Sequence, residues 1–124
     1  MSVLVDSDVL IEISRGRDTG LVERWTQLSG SEQTILYSPI TSAELWAGAR
    51  PQEQSILSAL FKSLRCAVVD ENTGRLAGDF LHRYAASHSL KIADALIAAS
   101  AVQFRAALWT RNRRHFPMRE IEFY

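Results

Sequence analysis

Apolar positions in this chain follow two rhythms. Short runs rich in β-branched and aliphatic residues, 2–5 (SVLV), 34–38 (TILYS), 66–69 (CAVV) and 107–110 (ALWT), read as strands, with a last short one expected over residues 121–123. Between them the apolar spacing changes to three and four. Residues 7–15 are helix-compatible up to Gly16, and Leu21, Trp25 and Leu28 share a helical face that ends at Gly30 and Ser31. A further helix is expected from Thr41 to about Ala49. Another starts at Pro51, with Ile56, Leu57, Leu60, Phe61 and Leu64 as its apolar stripe. Leu76, Phe80, Leu81 and Tyr84 mark a long amphipathic helix over residues 72–88.

Residues 89–101, SLKIADALIAASA, break this pattern by being apolar nearly all round, which places them as a central helix with Ile92, Leu96, Ile97 and the alanines in its packing. One carboxylate, Asp94, is set into that stretch, and a charge among Ile, Leu and Ala costs several kcal/mol unless something pairs with it. Strands alternating with helices imply an α/β fold with a parallel sheet of four to five strands and helices on both faces.

Composition narrows this only slightly. The 124 residues suit one domain, and 47% hydrophobic with 23% charged residues is ordinary for a globular protein. Basic and acidic residues balance at 14 each, so an anion-binding surface has to come from local clustering. A single cysteine, Cys66, excludes an internal disulfide and is expected as inert core opening an apolar strand. With no leader-like opening and no run near the roughly 18 apolar residues of a membrane span, a cytoplasmic location is expected.

Open α/β sheets build their sites at the carboxyl ends of the strands. Asp6 ends the first strand, Glu44 follows the second, Asp94 opens the central helix, and a basic turn containing Asn112 follows the fourth. Each acid has an ordinary explanation. Thr41 and Glu44 fit a T-x-x-E capping box, Asp94 suits a helix N-terminal dipole, and Asp6 or Asp8 fits an N-cap. Jointly those explanations weaken, because three carboxylates at one sheet edge repel unless a cation lies between them. Hard oxygen ligands of this kind suit Mg²⁺ or Mn²⁺, the chemistry of phosphodiester hydrolysis.

VLVDSDVLIE, SPITSAELWAGA, LKIADALIAASA and LWTRNRRHF, in that order, resemble the motifs of PIN-domain ribonucleases, specifically VapC-type toxins of toxin–antitoxin pairs, across essentially the whole chain. The resemblance implies a PIN-like three-layer sandwich, one PIN domain over residues 1–124, and an acidic pocket for Mg²⁺ or Mn²⁺. It also implies hydrolysis of RNA (tRNA, rRNA or mRNA) by an activated water to leave a 5′-phosphate and a 3′-hydroxyl. Carried onto this sequence, Asp6 and Asp94 hold the ion and Glu44 completes the shell or orients water. Asp8 matches a position often Asp or Asn. Asn112 best matches the fourth polar position, while His115 stands where many relatives have a second Asp; this lowers the pocket's charge and bears on a second metal more than on the first. Thr110 and Asn112 become second contacts to metal or substrate, and no single general base is assigned. A cognate antitoxin and a homodimer are further implications, with Trp46 and the stripe of residues 56–64 resembling the surfaces used for both.

Beside the pocket, Arg111, Arg113, Arg114 and Arg119 are a solvated loop or a set of phosphate contacts. Trp25, Trp46, Trp109, Phe61 and Phe80 are expected in core or interface rather than stacked on bases, and His82 and His88 as surface histidines. Two other functions compete. DSDVL after a β-run also resembles the opening of haloacid-dehalogenase-type phosphatases, although no late acidic pair or clear lysine motif follows, Lys62 and Lys91 being the only lysines. The other is a PIN-like module that binds RNA or protein without turnover.

Overall fold

In the computed structural model, which describes residues 1–124, the elements alternate as β1 (Ser2–Val5), α1 (Ser7–Arg15), α2 (Thr19–Ser29), β2 (Thr34–Tyr37), α3 (Pro39–Gly48), α4 (Gln54–Lys62), β3 (Arg65–Cys66), α5 (Glu71–His88), α6 (Ile92–Gln103) and β4 (Ala106–Trp109). Short 3₁₀ turns occupy Pro51–Glu53 and Arg113–His115. The four strands form one parallel sheet in the order β3-β2-β1-β4. The order 2-1-4 around β1 reverses the winding direction there, and an open parallel sheet leaves a crevice at such a point.

Strand alternation sorts the core into two halves. Leu4, Leu36 and Leu108 face α5 and α6, whose Phe80, Ala95, Ile97, Ala98 and Ala101 complete that layer. Val3, Val5, Ile35 and Trp109 point the other way, against Leu10 of α1, Leu28 of α2, Leu45 of α3 and Leu57 of α4. The result is three layers, as expected. Helix α6 is buried along most of its length because its alanines let it approach β4, α3 and α5 closely. Ile92 is the exception: as the first helical residue it projects outward and is 67% exposed.

Two expected strands come out differently. The third is Arg65–Cys66 rather than 66–69; Ala67 still donates its N–H to the Tyr37 carbonyl, but Val68 points into solvent. An apolar, β-branched run does not reveal that its strand lies at the rim of the sheet with a neighbour on one side only. Cys66 is accordingly exposed, not core. The expected strand 121–123 reduces to one parallel bridge between Leu108 and Phe123, with hydrogen bonds from Leu108 N–H to the Glu122 carbonyl (2.7 Å) and from Tyr124 N–H to the Leu108 carbonyl (2.9 Å). Arg24 holds this tail by lying over the rings of both Trp109 and Tyr124, at 5.0 and 4.9 Å from their centroids.

Register places the site. Leu4 pairs with both Leu36 and Leu108, and Val5 with Trp109, so Asp6 and Thr110 leave the sheet side by side. Asp6 N–H donates to the Trp109 carbonyl at 2.9 Å. Helix α1 then starts on Asp6 and stops at Gly16, whose φ of 65° is the left-handed conformation that favours glycine.

Candidate active site

Asp6 is the N-cap of α1, and both of its carboxylate oxygens are used. Oδ1 accepts the Ser7 N–H at 2.9 Å, and Oδ2 accepts the Thr110 hydroxyl, also at 2.9 Å. The residue is only 7% exposed. Two donors from different parts of the chain thus replace the water that this enclosed carboxylate has lost.

Glu44 does not close a capping box. Ser38 caps α3 by accepting the Ile40 N–H, and Pro39 occupies the first turn, so the helix begins ahead of Thr41. Thr41 is buried with no partner for its hydroxyl, and Glu44 faces away from it. Instead Glu44 Oε1 accepts the Ser7 hydroxyl at 2.9 Å; that hydroxyl also lies 3.4 Å from Asp6 Oδ1. Ser7 thus stands between the first and second acids. Nothing in the reading of the chain singled it out, although its place directly after a capping Asp was the available signal.

Asp94 is the third residue of α6, and Lys91 before it makes no side-chain cap. Its carboxylate is partly buried, with Oδ2 3.9 Å from His115 Nδ1. Burial raises its pKa above the usual 3.8, and the Asp6 and Glu44 carboxylates push the same way, while His115 and Lys91 oppose them. Asp6 after β1 and Glu44 in α3 therefore lie near enough for their charges to act on Asp94 of α6 at the carboxyl edge of the sheet.

Asp8 serves a different end. Its Oδ2 accepts the Arg111 N–H and the Asn112 side-chain amide, both at 3.0 Å, and Thr110 Oγ1 lies 3.5 Å away. Its Oδ1 is buried without a partner. Burial first, then the Asp6 charge, raise the Asp8 pKa. Asp8 thus ties down the segment after β4. Of the two residues considered for the fourth position, Asn112 reaches Asp8, whereas His115 reaches Asp94.

The arginines do not form one patch. Arg111 turns toward Glu12 (3.8 Å) and Asp18 (3.9 Å), and Arg113 lies over Phe123 while donating to the Tyr124 carbonyl. Arg114 and Arg119 are exposed and have no ion-pair partner.

Burial first, and then the neighbouring carboxylates, raise the pKa of Asp94, an electrostatic setting that a cation beside these hard oxygen donors reverses. No three His, Cys, Asp or Glu side chains converge closely enough to enclose an ion by themselves. Mg²⁺ does not need that: it is commonly held by one or two carboxylates and keeps several waters. The residues present fit such an ion.

Residues 3–122 match the PIN domain family model. The chain belongs to the PIN-domain family. Within it the chain is similar to the ribonuclease VapC19 of Mycobacterium tuberculosis, 34% identical over 116 residues, which is 93% of this chain and 92% of that protein. It is 37% identical over 119 residues to the ribonuclease VapC10 of the same organism, covering 95% and 88%. A chain of a solved toxin–antitoxin complex from Klebsiella pneumoniae superposes with a TM-score of 0.75 at 26% identity, covering 96% of this chain and 94% of that one. The PIN-domain chain is therefore VapC-type, and the haloacid-dehalogenase alternative is not favoured.

Proposed function

We propose that this PIN-domain protein is a Mg²⁺- or Mn²⁺-dependent endoribonuclease, the toxin of a toxin–antitoxin pair, acting as one domain over residues 1–124. The observation that carries this reading is the placement of Asp6, Glu44 and Asp94 toward the carboxyl edge of one sheet, with the Ser7 hydroxyl bridging Asp6 and Glu44 and with both of those charges acting on the partly buried Asp94. The ribonucleases VapC19 and VapC10, matched along nearly their full lengths, support the choice of RNA as substrate.

When bound, the ion supplies Lewis-acid activation of a water and neutralises charge on the phosphate. Asp6 and Asp94 hold it. Asp6 is fixed by Ser7 and Thr110, whose donors leave its carboxylate one orientation. Glu44, steadied by the Ser7 hydroxyl, sits farther out and orients water. Asp8 and Asn112 position the loop after β4, and His115 stands beside Asp94 where a phosphate oxygen approaches. The exposed Arg114 lends charge to RNA without reading its sequence. The products are a 5′-phosphate and a 3′-hydroxyl.

A cognate antitoxin is the protein partner, in keeping with the similarity to a chain of a toxin–antitoxin complex. A homodimer fits the partly exposed Trp46, packed at 5.9 Å on Phe61 of α4, and the 52% exposed Ile56 on the same helix as Phe61.

The test is cleavage of structured RNA by purified protein with Mg²⁺ or Mn²⁺, compared with Asp6→Asn and Asp94→Asn, with the product ends mapped. Cutting by wild type alone is expected, together with growth arrest on expression that Asp94→Asn relieves. Inactivity of all three with retained RNA binding would replace the enzyme by a binding module.

A further inference from the structure

A cleft opens beside the acids between the end of α5 and the start of α6. It is lined by His88, Ser89, Leu90, Lys91, Asp94 and His115 and holds about 230 Å³. Only Leu90 among these is apolar, and Leu90 is buried as the floor. Asp94 is the single acid in the cleft and Lys91 its one fixed cation, while His88, Ser89 and His115 add polar groups able to donate or accept hydrogen bonds.

The cleft is held in shape. Ser89 takes a left-handed φ of 51°, which turns the chain sharply between the two helices and sends Leu90 inward and Lys91 to the rim. A non-glycine residue in that region is strained, and the surrounding packing maintains it. The His88 ring is fixed on two sides: Nδ1 lies 2.7 Å from the Ser87 hydroxyl, and the ring meets Tyr84 edge-on at 5.7 Å. This leaves Nε2 as the free polar atom of that ring. His115 closes the opposite wall at 3.9 Å from Asp94. Lys91 is in no ion pair: the Asp94 carboxylate lies against His115 instead, and Lys91 acts on it only at longer range.

We infer that this cleft is the subsite for the backbone phosphate and ribose adjoining the scissile bond of a single-stranded RNA. This rests on the nuclease reading above and names where the strand runs. Lys91 contacts the neighbouring phosphate as a point charge, and His88 Nε2 and the Ser89 hydroxyl provide hydrogen bonds to it or to the ribose. The volume lies below the roughly 300–1,000 Å³ of a pocket for a drug-sized ligand, which suits one phosphate–ribose unit rather than a free small molecule. The direct contiguity with Asp94 favours a nucleic-acid strand over a protein segment, because a strand held at its scissile phosphate has its next phosphate within one nucleotide's reach.

The experiment uses the full chain and a fluorescein-labelled single-stranded RNA of random sequence. Binding is measured by anisotropy across a salt series without divalent ions, and cleavage separately with Mg²⁺ or Mn²⁺. Lys91→Gln is expected to weaken binding several-fold and to lower the slope of log K against log salt by about 0.7, the value for one phosphate contact on a single strand. Lys91→Arg should restore most of it. His88→Gln is expected to raise KM with kcat nearly unchanged, since it removes binding away from the reacting atoms. Lys62→Gln, on α4, is the control and leaves both measurements unchanged. Cleavage by wild type with an unaltered salt slope in Lys91→Gln overturns the subsite while the nuclease reading stands. Binding by wild type that falls in Lys91→Gln, with no cleavage by any form, keeps the cleft as an RNA-phosphate contact and overturns the nuclease reading together with the assignment to a scissile bond.

Discussion

Thr110→Val tests whether the site is built around Asp6. Valine keeps the branched shape and removes the hydroxyl that donates to Asp6 Oδ2 at 2.9 Å. A hydrogen bond to a charged group contributes about 1.5–3 kcal/mol, and a buried acceptor left bare costs a similar amount. Asp6 is 7% exposed, so water has little access to replace the lost donor. The same hydroxyl accepts the Asn112 N–H at 3.1 Å, but that residue is partly exposed and solvent can substitute there. A loss of about 2 kcal/mol follows, equivalent to roughly 8 °C in Tm for a chain of this size. Urea unfolding in EDTA measures it, with an unchanged m-value showing that the unfolded state is not altered. Thr110→Ser, which keeps the hydroxyl, should lose much less. A destabilisation under about 0.5 kcal/mol for valine would show that Asp6 draws no net support from Thr110, and the account of how its orientation is fixed would fall.

Asp94 has a folded pKa above 3.8, so the folded chain retains a proton that the unfolded chain has released, and stability falls as pH rises from 3.8 through the folded value and stays reduced above it. Asp94→Asn in EDTA should therefore be at least as stable as wild type at neutral pH, with a flatter pH profile, while losing the stabilisation that Mg²⁺ confers on wild type; a less stable variant, or an equal gain with Mg²⁺, refutes this. Arg114→Glu should weaken random-sequence RNA binding and flatten its salt dependence, whereas Arg113→Ala should leave the salt slope unchanged and cost about 1 kcal/mol by releasing Phe123 and Tyr124. Equal effects of the two on RNA binding would show that Arg113 is not committed to the tail.

The order of strands and helices was legible because each core strand is a short continuous apolar run, buried on both faces of the sheet, and the amphipathic helices carry a three-to-four spacing. Legibility failed where burial and pattern part. CAVV is as apolar as a central strand, yet Val68 is solvent-facing at the rim, and Ile92 sits in an apolar helix at the one position that has nothing to pack on. Asp6 and Glu44 follow strands and Asp94 opens the central helix, and those places were legible in the sequence. Their partners were not: the Ser-Pro pair that starts α3 at residue 39 frees Glu44 from the expected capping box, and Ser7 then claims it. Nor does composition distinguish an arginine stacked on Phe123 from one left in solvent, because that depends on where the tail folds back.

The way the tail lies along β4 also bears on how copies of this protein meet. Leu108 gives its free N–H and carbonyl to Glu122 and Tyr124, and Arg24 clamps the arrangement from outside. At the opposite rim, β3 offers a stretch of two residues. An incoming chain seeking to extend the sheet by strand addition finds one border already occupied and the other too short to template a ladder, which guards against fibrillar stacking at the concentrations reached when a protein accumulates. Association is thereby left to the helical faces, where side-chain shape rather than backbone pairing selects the partner.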